Sequence, residues 1–179
     1  MINFRELSEK EEEIFEEELE YWIGSSHSKN LKGKYSFIIA EGKWKELLLT
    51  NHYTINMFTE NIIKNPYSIG ISFGEFKKNA FLINLGALSI LKKYTNKLII
   101  ISDEAEQLFL YKRSIIINSV IEISKQITKG DKAIIINQKK DALGIGELLI
   151  EPSEIGKQPK NEFIVRNIID LGWFLRKGK

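Results

Sequence analysis

Few residues in this chain could carry covalent chemistry. It contains no cysteine, which removes disulfides, thiolate nucleophiles and Cys-ligated zinc. His27 and His52 are its only histidines, and neither has a second histidine or a carboxylate at zinc-ligand spacing. The four aspartates, Asp103, Asp131, Asp141 and Asp170, sit where turns and helix caps are expected, which accounts for them without a catalytic role. Gly144-x-Gly146 lacks the third glycine and following helix of a dinucleotide site, and no Gly-Lys-Ser/Thr run is present. These glycines read as a turn or bulge with close backbone packing, a backbone approach to a ligand being the alternative. What the chain does offer is cations beside flat rings. Such a run is Phe109-Leu110-Tyr111-Lys112-Arg113; Lys157, Lys160 and Arg166 are further cations in a later region. Cations along the backbone and flat side chains under the bases are how single-stranded nucleic acid is held.

The first run lies in the stretch Asp103–Ile150, on which the chain is organised. A helix start leads into three β-rich runs, Ile115–Ile123, Lys132–Asn137 and Gly144–Ile150. Lys129-Gly130-Asp131 and Gln138–Asp141 supply the turns between them. Phe109 reads as core, and Tyr111 equally as core or as a stacking face. Lys112 and Arg113 must reach water, because unpaired buried charge is costly. After a polar loop, Phe163–Ile169 returns as a strand and Asp170 can cap a short helix over Leu171–Arg176. Alternation along that strand puts Arg166 on the face of Ile164 and Ile168 unless a bulge intervenes, so an ion-pair role for Arg166 stands beside a phosphate role.

Upstream, Ser8 and Glu11 have capping-box spacing, and Phe15, Leu19 and Trp22 form a helical stripe that Gly24 ends as a C′ residue. Ser25–Lys34 reads as a polar loop. Tyr35–Ile39 and Trp44–Leu49 read as a hairpin. Tyr53, Met57 and Ile62 can share one helical face, closed by Asn65-Pro66. Tyr67–Phe76 is strand-like with Gly70 and Gly74 inside it, Ala80–Ile83 follows, and Leu85–Tyr94 reads as a helix with Leu85, Leu88 and Leu91 inward. Lys97–Ile101 is an apolar strand. The domain boundary is placed near Thr95-Asn96, giving domains 1–94 and 95–179.

With 179 residues, 43% hydrophobic and 28% charged, the composition is that of a folded globular protein. No apolar run approaches the roughly 18 residues of a membrane span. The acidic N-terminus does not resemble a secretory signal, so a soluble, cytoplasmic protein is expected. The net charge of +2 conceals an asymmetry: residues 1–20 hold nine acids and two bases, a balance of −7, leaving +9 on the remainder. The acids of the first helix read as a solvated face, or as a contact to a basic partner. A basic body attracts polyanions.

Two resemblances add to this. The Leu-Tyr-x-Arg-type entry at Leu110–Arg113, Lys129-Gly130-Asp131 and Leu143-Gly144-Ile145-Gly146 resemble the PUA domain, an RNA-binding pseudo-barrel. The whole chain resembles the Nip-seven family of ribosome-biogenesis factors, in its archaeal form. Arg5-x-Leu7-Ser8-x-x-Glu11, Tyr21-x-Ile23-Gly24, Ser68-Ile69-Gly70, Phe73-Gly74-x-Phe76, Ala105-Glu106-Gln107-x-Phe109-Leu110-Tyr111, the same Leu-Gly-Ile-Gly run and Asp170-Leu171-Gly172-x-x-Leu175-Arg176 carry it in the family's order. The resemblance implies an α+β protein: an N-terminal α/β domain on an antiparallel sheet, followed by a PUA-like β pseudo-barrel. It implies a non-enzymatic factor for pre-rRNA processing and large-subunit assembly. Its implied partners are single-stranded or pre-ribosomal RNA rich in uridine or adenine, and other assembly factors or exosome components. It is expected to be a monomer, nucleolar in a eukaryote, with no catalytic residue, metal or cofactor. The alternative is an RNA-modification enzyme or its substrate-delivering subunit. RNA contacts are expected at Lys157, Lys160 and Arg166, with Lys112, Arg113 and Tyr111 as a second group. Archaeal relatives carry a denser basic cluster in the late region than this chain does.

Overall fold

The computed structural model describes residues 2–60, 62, 66 and 68–177. Asn65 of the expected Asn65-Pro66 stop, the first residue of the expected Tyr67–Phe76 strand, and Gly178-Lys179 lie outside the described residues. The chain divides into two compact units, Met1–Ala87 and Leu88–Lys179.

The first unit is a five-stranded antiparallel sheet in chain order: β1 (Asn3–Arg5), β2 (Ser36–Glu41), β3 (Lys45–Thr50), β4 (Ile71–Lys77) and β5 (Ala80–Ile83). Helix α1 (Glu9–Lys34) places Phe15 against Phe37, Phe73 and Phe81, closing one face with a cluster of rings. Helix α2 (His52–Thr59) lies toward the other face. Its Asn51 cap, which accepts from the Thr54 N–H at 2.8 Å, sets the helix phase. Ile55 and Phe58 therefore pack on Ile38, Ala40, Leu48 and Ile69. Tyr53 and Ile62, expected on the inward stripe, are 71% and 60% exposed.

Gly24 corrects a second expectation. It takes positive φ (75°), as a helix-ending glycine would, but the chain beyond it is helix again and not a loop. Lys32 reaches Glu12 at 2.9 Å and Glu16 at 3.1 Å. Twenty residues of straight helix would separate Lys32 from Glu12 by about 30 Å, so the second half of α1 folds back along the first. Only Ser28 and Leu31 are buried in that half, too few to make a legible stripe.

At the start of α1 the capping box forms as expected, and Glu11 does more than cap. Its nearly buried carboxylate receives Arg5 and Lys45, each at 2.8 Å, and Arg5 also meets Glu41 at 2.7 Å. The Arg5 guanidinium holds the Glu11 carboxyl well below the usual carboxylate range; burial opposes it, while Lys45 and Ser8 reinforce it. One carboxylate thus ties β1, α1 and β3 together.

The second unit begins with α3 (Leu88–Leu91), which follows a 3₁₀ turn at Leu85–Ala87 that ends the first unit; the continuous helix expected over Leu85–Tyr94 is this shorter pair. Leu85, Leu88 and Leu91 are nonetheless buried. A six-stranded sheet follows, built from β6 (Leu98–Ile101), β7 (Ile115–Ile116), β8 (Val120–Ile123), β9 (Lys132–Ile136), β10 (Ala142–Leu148) and β11 (Phe163–Asp170). Their order is β7-β11-β10-β9-β6-β8, with β6 and β9 parallel and the other pairs antiparallel. The run Ile115–Ile123, expected as one strand, is therefore two strands on opposite edges of the sheet, joined by the 3₁₀ turn Ile117–Ser119. Three such residues span about 6 Å. A flat sheet of six strands would be about 24 Å wide. The sheet must curl until its edges nearly meet. Ile99, Ile101, Phe109, Ile135, Leu148 and Ile164 fill the interior. The turn before β9 is fixed by Asp131, which takes the Thr128 N–H at 3.0 Å and Lys97 at 2.8 Å. Burial pushes the Asp131 carboxyl up, but Lys97 and Thr128 outweigh it and hold it at about 2.

Replacing Glu11 with Gln should lower the stability of the protein by about 2–3 kcal/mol at neutral pH, since it leaves two cations facing a neutral amide. The carboxyl's folded pKa is depressed, so its contribution is present above its unfolded value near 4.5 and is lost as pH falls below it. Thermal melts of both proteins should differ by a constant amount above about pH 5.5, and the difference should shrink steadily below about pH 4.5, vanishing only as pH falls through the depressed folded pKa of Glu11. A difference independent of pH would contradict this role for Glu11.

Candidate nucleic-acid interface

Helix α4 (Asp103–Leu110) starts at Ser102, whose hydroxyl accepts from the Ala105 N–H, and ends at Tyr111. Ser102 and not Asp103 is the cap. Phe109 is fully buried, and its carbonyl accepts from Asn167 of β11 at 2.7 Å. Lys112 then takes positive φ (67°) and the Arg113 N–H returns to the Leu108 carbonyl at 3.0 Å. This tight reversal anchors Phe109 inward and throws Tyr111, Lys112 and Arg113 outward. Tyr111 is 74% exposed, and Lys112 and Arg113 are exposed beside it.

Helix α5 (Gly172–Lys177) joins that corner. Gly172 lies against the Leu110 carbonyl so closely that no side chain could fit there. Arg176 donates to the same carbonyl and pairs with Asp170 at 3.0 Å. Asp170 is the last residue of β11, buried at 1% exposure, and holds Arg176 rather than capping the helix. Trp173 and Phe174 stand perpendicular with centroids 5.1 Å apart, and Phe174 is 58% exposed. The corner thus carries Tyr111, Lys112, Arg113, Trp173, Phe174 and Arg176. Capping rules do not find the last three, yet Trp173-Phe174 beside Arg176 repeats the ring-plus-cation signal of Tyr111–Arg113.

The late residues form a separate group. Pro152–Lys157 is a 3₁₀ turn, and Lys157 and Lys160 are exposed. The Lys160 and Glu162 carbonyls accept from Asn118 and Ile117, each at 3.0 Å, pinning the loop to the turn after β7. In β11 a register shift against β7 falls between Phe163 and Val165. Ile164 and Val165 are both buried, while Phe163, Arg166 and Ile168 are exposed. The bulge intervenes, and Arg166 does not share a face with Ile164. It stands opposite Glu147 of β10 and forms an ion pair with it. Lys160 lies beside Asn118 at one end of the β7–β11 edge and Arg113 precedes Ile115 at the other; Arg166 follows Val165, the partner of Ile115, and stands toward the Arg113 end.

His52 bonds Ser36 Oγ at 2.7 Å and the Gly33 carbonyl at 3.2 Å, tying α2 to the end of α1. A Cβ on Gly144 would collide with the backbone of Ile169 and Asp170, and one on Gly146 with Val165, so both glycines serve strand packing. Among the described residues no cluster of three or more His, Asp or Glu could hold a metal, and no helix is long and apolar enough to cross a membrane.

Residues 4–85 match the NIP7/UPF0113 pre-PUA domain, and residues 97–179 match the UPF0113 PUA domain. A UPF0113 protein from Archaeoglobus fulgidus is 27% identical over 178 residues, covering 98% of this chain and 96% of that one. Among solved structures, a hypothetical protein from Pyrococcus horikoshii superposes with a TM-score of 0.63 at 14% identity, over 97% of this chain and 99% of that one. A conserved PUA domain protein from Thermoplasma acidophilum gives 0.62 at 16% identity, over 98% and 99%. The fold is that of PUA-domain proteins, as the sequence implies.

Arg166 and Arg176 should behave differently when truncated. Arg166→Met removes an exposed ion pair and should cost less than about 1 kcal/mol. Arg176→Met leaves the buried Asp170 carboxylate without its cation and should cost about 3 kcal/mol. Urea denaturation of the two variants gives the comparison; equal losses would contradict the assignment of Asp170 and Arg176 as the structural pair.

Proposed function

The chain belongs to the NIP7/UPF0113 family, with the pre-PUA domain in its first half and the PUA domain in its second, and on that premise we propose that it is a non-enzymatic RNA-binding factor of pre-rRNA processing and large ribosomal subunit assembly. The observation that carries this is the corner of the PUA domain, where Tyr111, Lys112 and Arg113 turn to solvent next to Phe174 and Arg176. Residues 108–116 and 171–177 contain no carboxylate at all. Arg176 is already held by Asp170, so the cations that face a ligand are Lys112 and Arg113; beside exposed rings they suit a single strand, whose unstacked bases lie on flat faces while its phosphates meet cations. Lys157, Lys160 and Arg166 form a second phosphate-binding group. It shares its loop and sheet face with Glu147, Glu151, Glu154 and Glu162, so its field is weaker. The protein acts as a monomer in the cytoplasm, or in the nucleolus of a eukaryote. It recruits other assembly factors or exosome components to uridine- or adenine-rich RNA.

Ser36 and His52 are bonded at 2.7 Å and line a pocket of the first unit, but the other ring nitrogen of His52 meets the Gly33 carbonyl and not a carboxylate, a structural tie between α2 and the end of α1. The pure protein should leave the nucleosides of an rRNA fragment unmodified by mass spectrometry; a new modified nucleoside would refute the non-enzymatic reading. Binding to a uridine-rich oligonucleotide should weaken with salt, with a log–log slope near −3 if about four phosphates are neutralised. Lys112→Ala with Arg113→Ala should flatten that slope by about 1.4, and Lys157→Ala with Lys160→Ala by up to the same amount. If neither double variant changes the slope, these residues do not hold RNA.

A further inference from the structure

We propose that Phe163 is a stacking platform for an unpaired nucleobase, set between Lys160 and Arg166 on the outer face of β11. This inference rests on the RNA-binding reading above and names a contact that the cations alone do not supply. From the sequence, Phe163 belongs with the apolar residues that thin the late basic cluster. In the structure its ring is 54% exposed at the first position of the strand.

An isolated exposed apolar side chain needs no explanation. Phe163 differs because the backbone aims it. Strict alternation would put Phe163 and Val165 on one face, with Ile164 and Arg166 on the other. The register shift after Phe163 instead sends both Ile164 and Val165 inward, at 0% exposure, and leaves Phe163 and Arg166 on solvent together. Bulges re-aim side chains and are over-represented beside binding sites. The flanking groups are also held. The Lys160 carbonyl is bonded to Asn118 and the Glu162 carbonyl to Ile117, which fixes the loop carrying Lys160 and leading into Phe163. Glu147 tethers the Arg166 guanidinium from the neighbouring strand while 60% of the Arg166 side chain remains exposed. A ring with a cation on either side matches one nucleotide: the base stacks on Phe163 and the phosphates on its two sides meet Lys160 and Arg166. Every base has a π-face, so the site accepts any base but requires it to be unpaired. Glu162 and Glu147 lie close by and disfavour a second, more highly charged layer of phosphates, as in a duplex.

The test compares Phe163→Tyr, which keeps a flat ring, with Phe163→Leu, which keeps apolar cover for the cross-strand neighbour Ile116 but removes the ring face. Binding of a ten-nucleotide oligouridylate and of a duplex of the same length is measured by fluorescence anisotropy on the full chain, with thermal melts to verify folding. Base–aromatic stacking is worth about 1–3 kcal/mol by alanine substitution, or roughly 5- to 150-fold. Phe163→Leu should lose at least about 5-fold on the single strand with an unchanged salt slope, while Phe163→Tyr stays within about 2-fold and duplex binding does not change. If wild type and Phe163→Leu bind the single strand equally, or if Phe163→Tyr loses as much as Phe163→Leu, the ring is structural cover and the proposal is wrong, while the RNA-binding reading stands. If wild-type protein binds neither probe, both fall.

Discussion

The three residues between β7 and β8 constrain the second unit more than any other feature. They join strands that lie at opposite edges of a six-stranded sheet, and the sheet must curl to let them. Curling places the long apolar strands β9 and β10 around a filled interior, where Gly144 and Gly146 let neighbouring backbone and side chains approach. It also brings the end of β11 to the end of α4, where Asn167 takes the Phe109 carbonyl and Gly172 seats against that of Leu110. Once Phe109 is buried and α5 fills the space beside it, Tyr111, Lys112 and Arg113 have nowhere to point except into water. The exposed corner follows from closure.

The first unit solves a different problem. Its sheet has a two-sided apolar surface, and a helix that doubles back at Gly24 covers one side. Glu11 pins the start of that helix to Arg5 and Lys45 on two strands. Lys32 closes its far end against Glu12 and Glu16. Several of the acids that give residues 1–20 their charge of −7 thus have local partners, which makes the acidic segment in part a structural device.

What was legible in the chain was local. The Ser8–Glu11 box, the β2–β3 hairpin, the β-rich runs of β9 and β10 and the close-packing glycines all follow from signals within a few residues. Lys112 and Arg113 could be placed on solvent because two adjacent cations cannot be buried unpaired, while Tyr111 stood equally between core and stacking face. What escaped depends on distant partners. Gly24 has the conformation of a helix end, and only Lys32 meeting Glu12 reveals that helix resumes beyond it. Ile115–Ile123 has uniform β-propensity, and its division between two edges comes from barrel closure. Arg166 changed face because of a bulge that pairing with β7 imposes. Asp170 has the composition of a cap, but burial and Arg176 give it another role.

Photo-crosslinking asks the central question most directly. A uridine-rich oligonucleotide carrying 4-thiouridine is bound to the full chain, irradiated, and the crosslinked peptides are mapped by mass spectrometry. The account predicts adducts within residues 109–119 and 157–176, on either end of the β7–β11 edge. Adducts confined to residues 1–87 would contradict it.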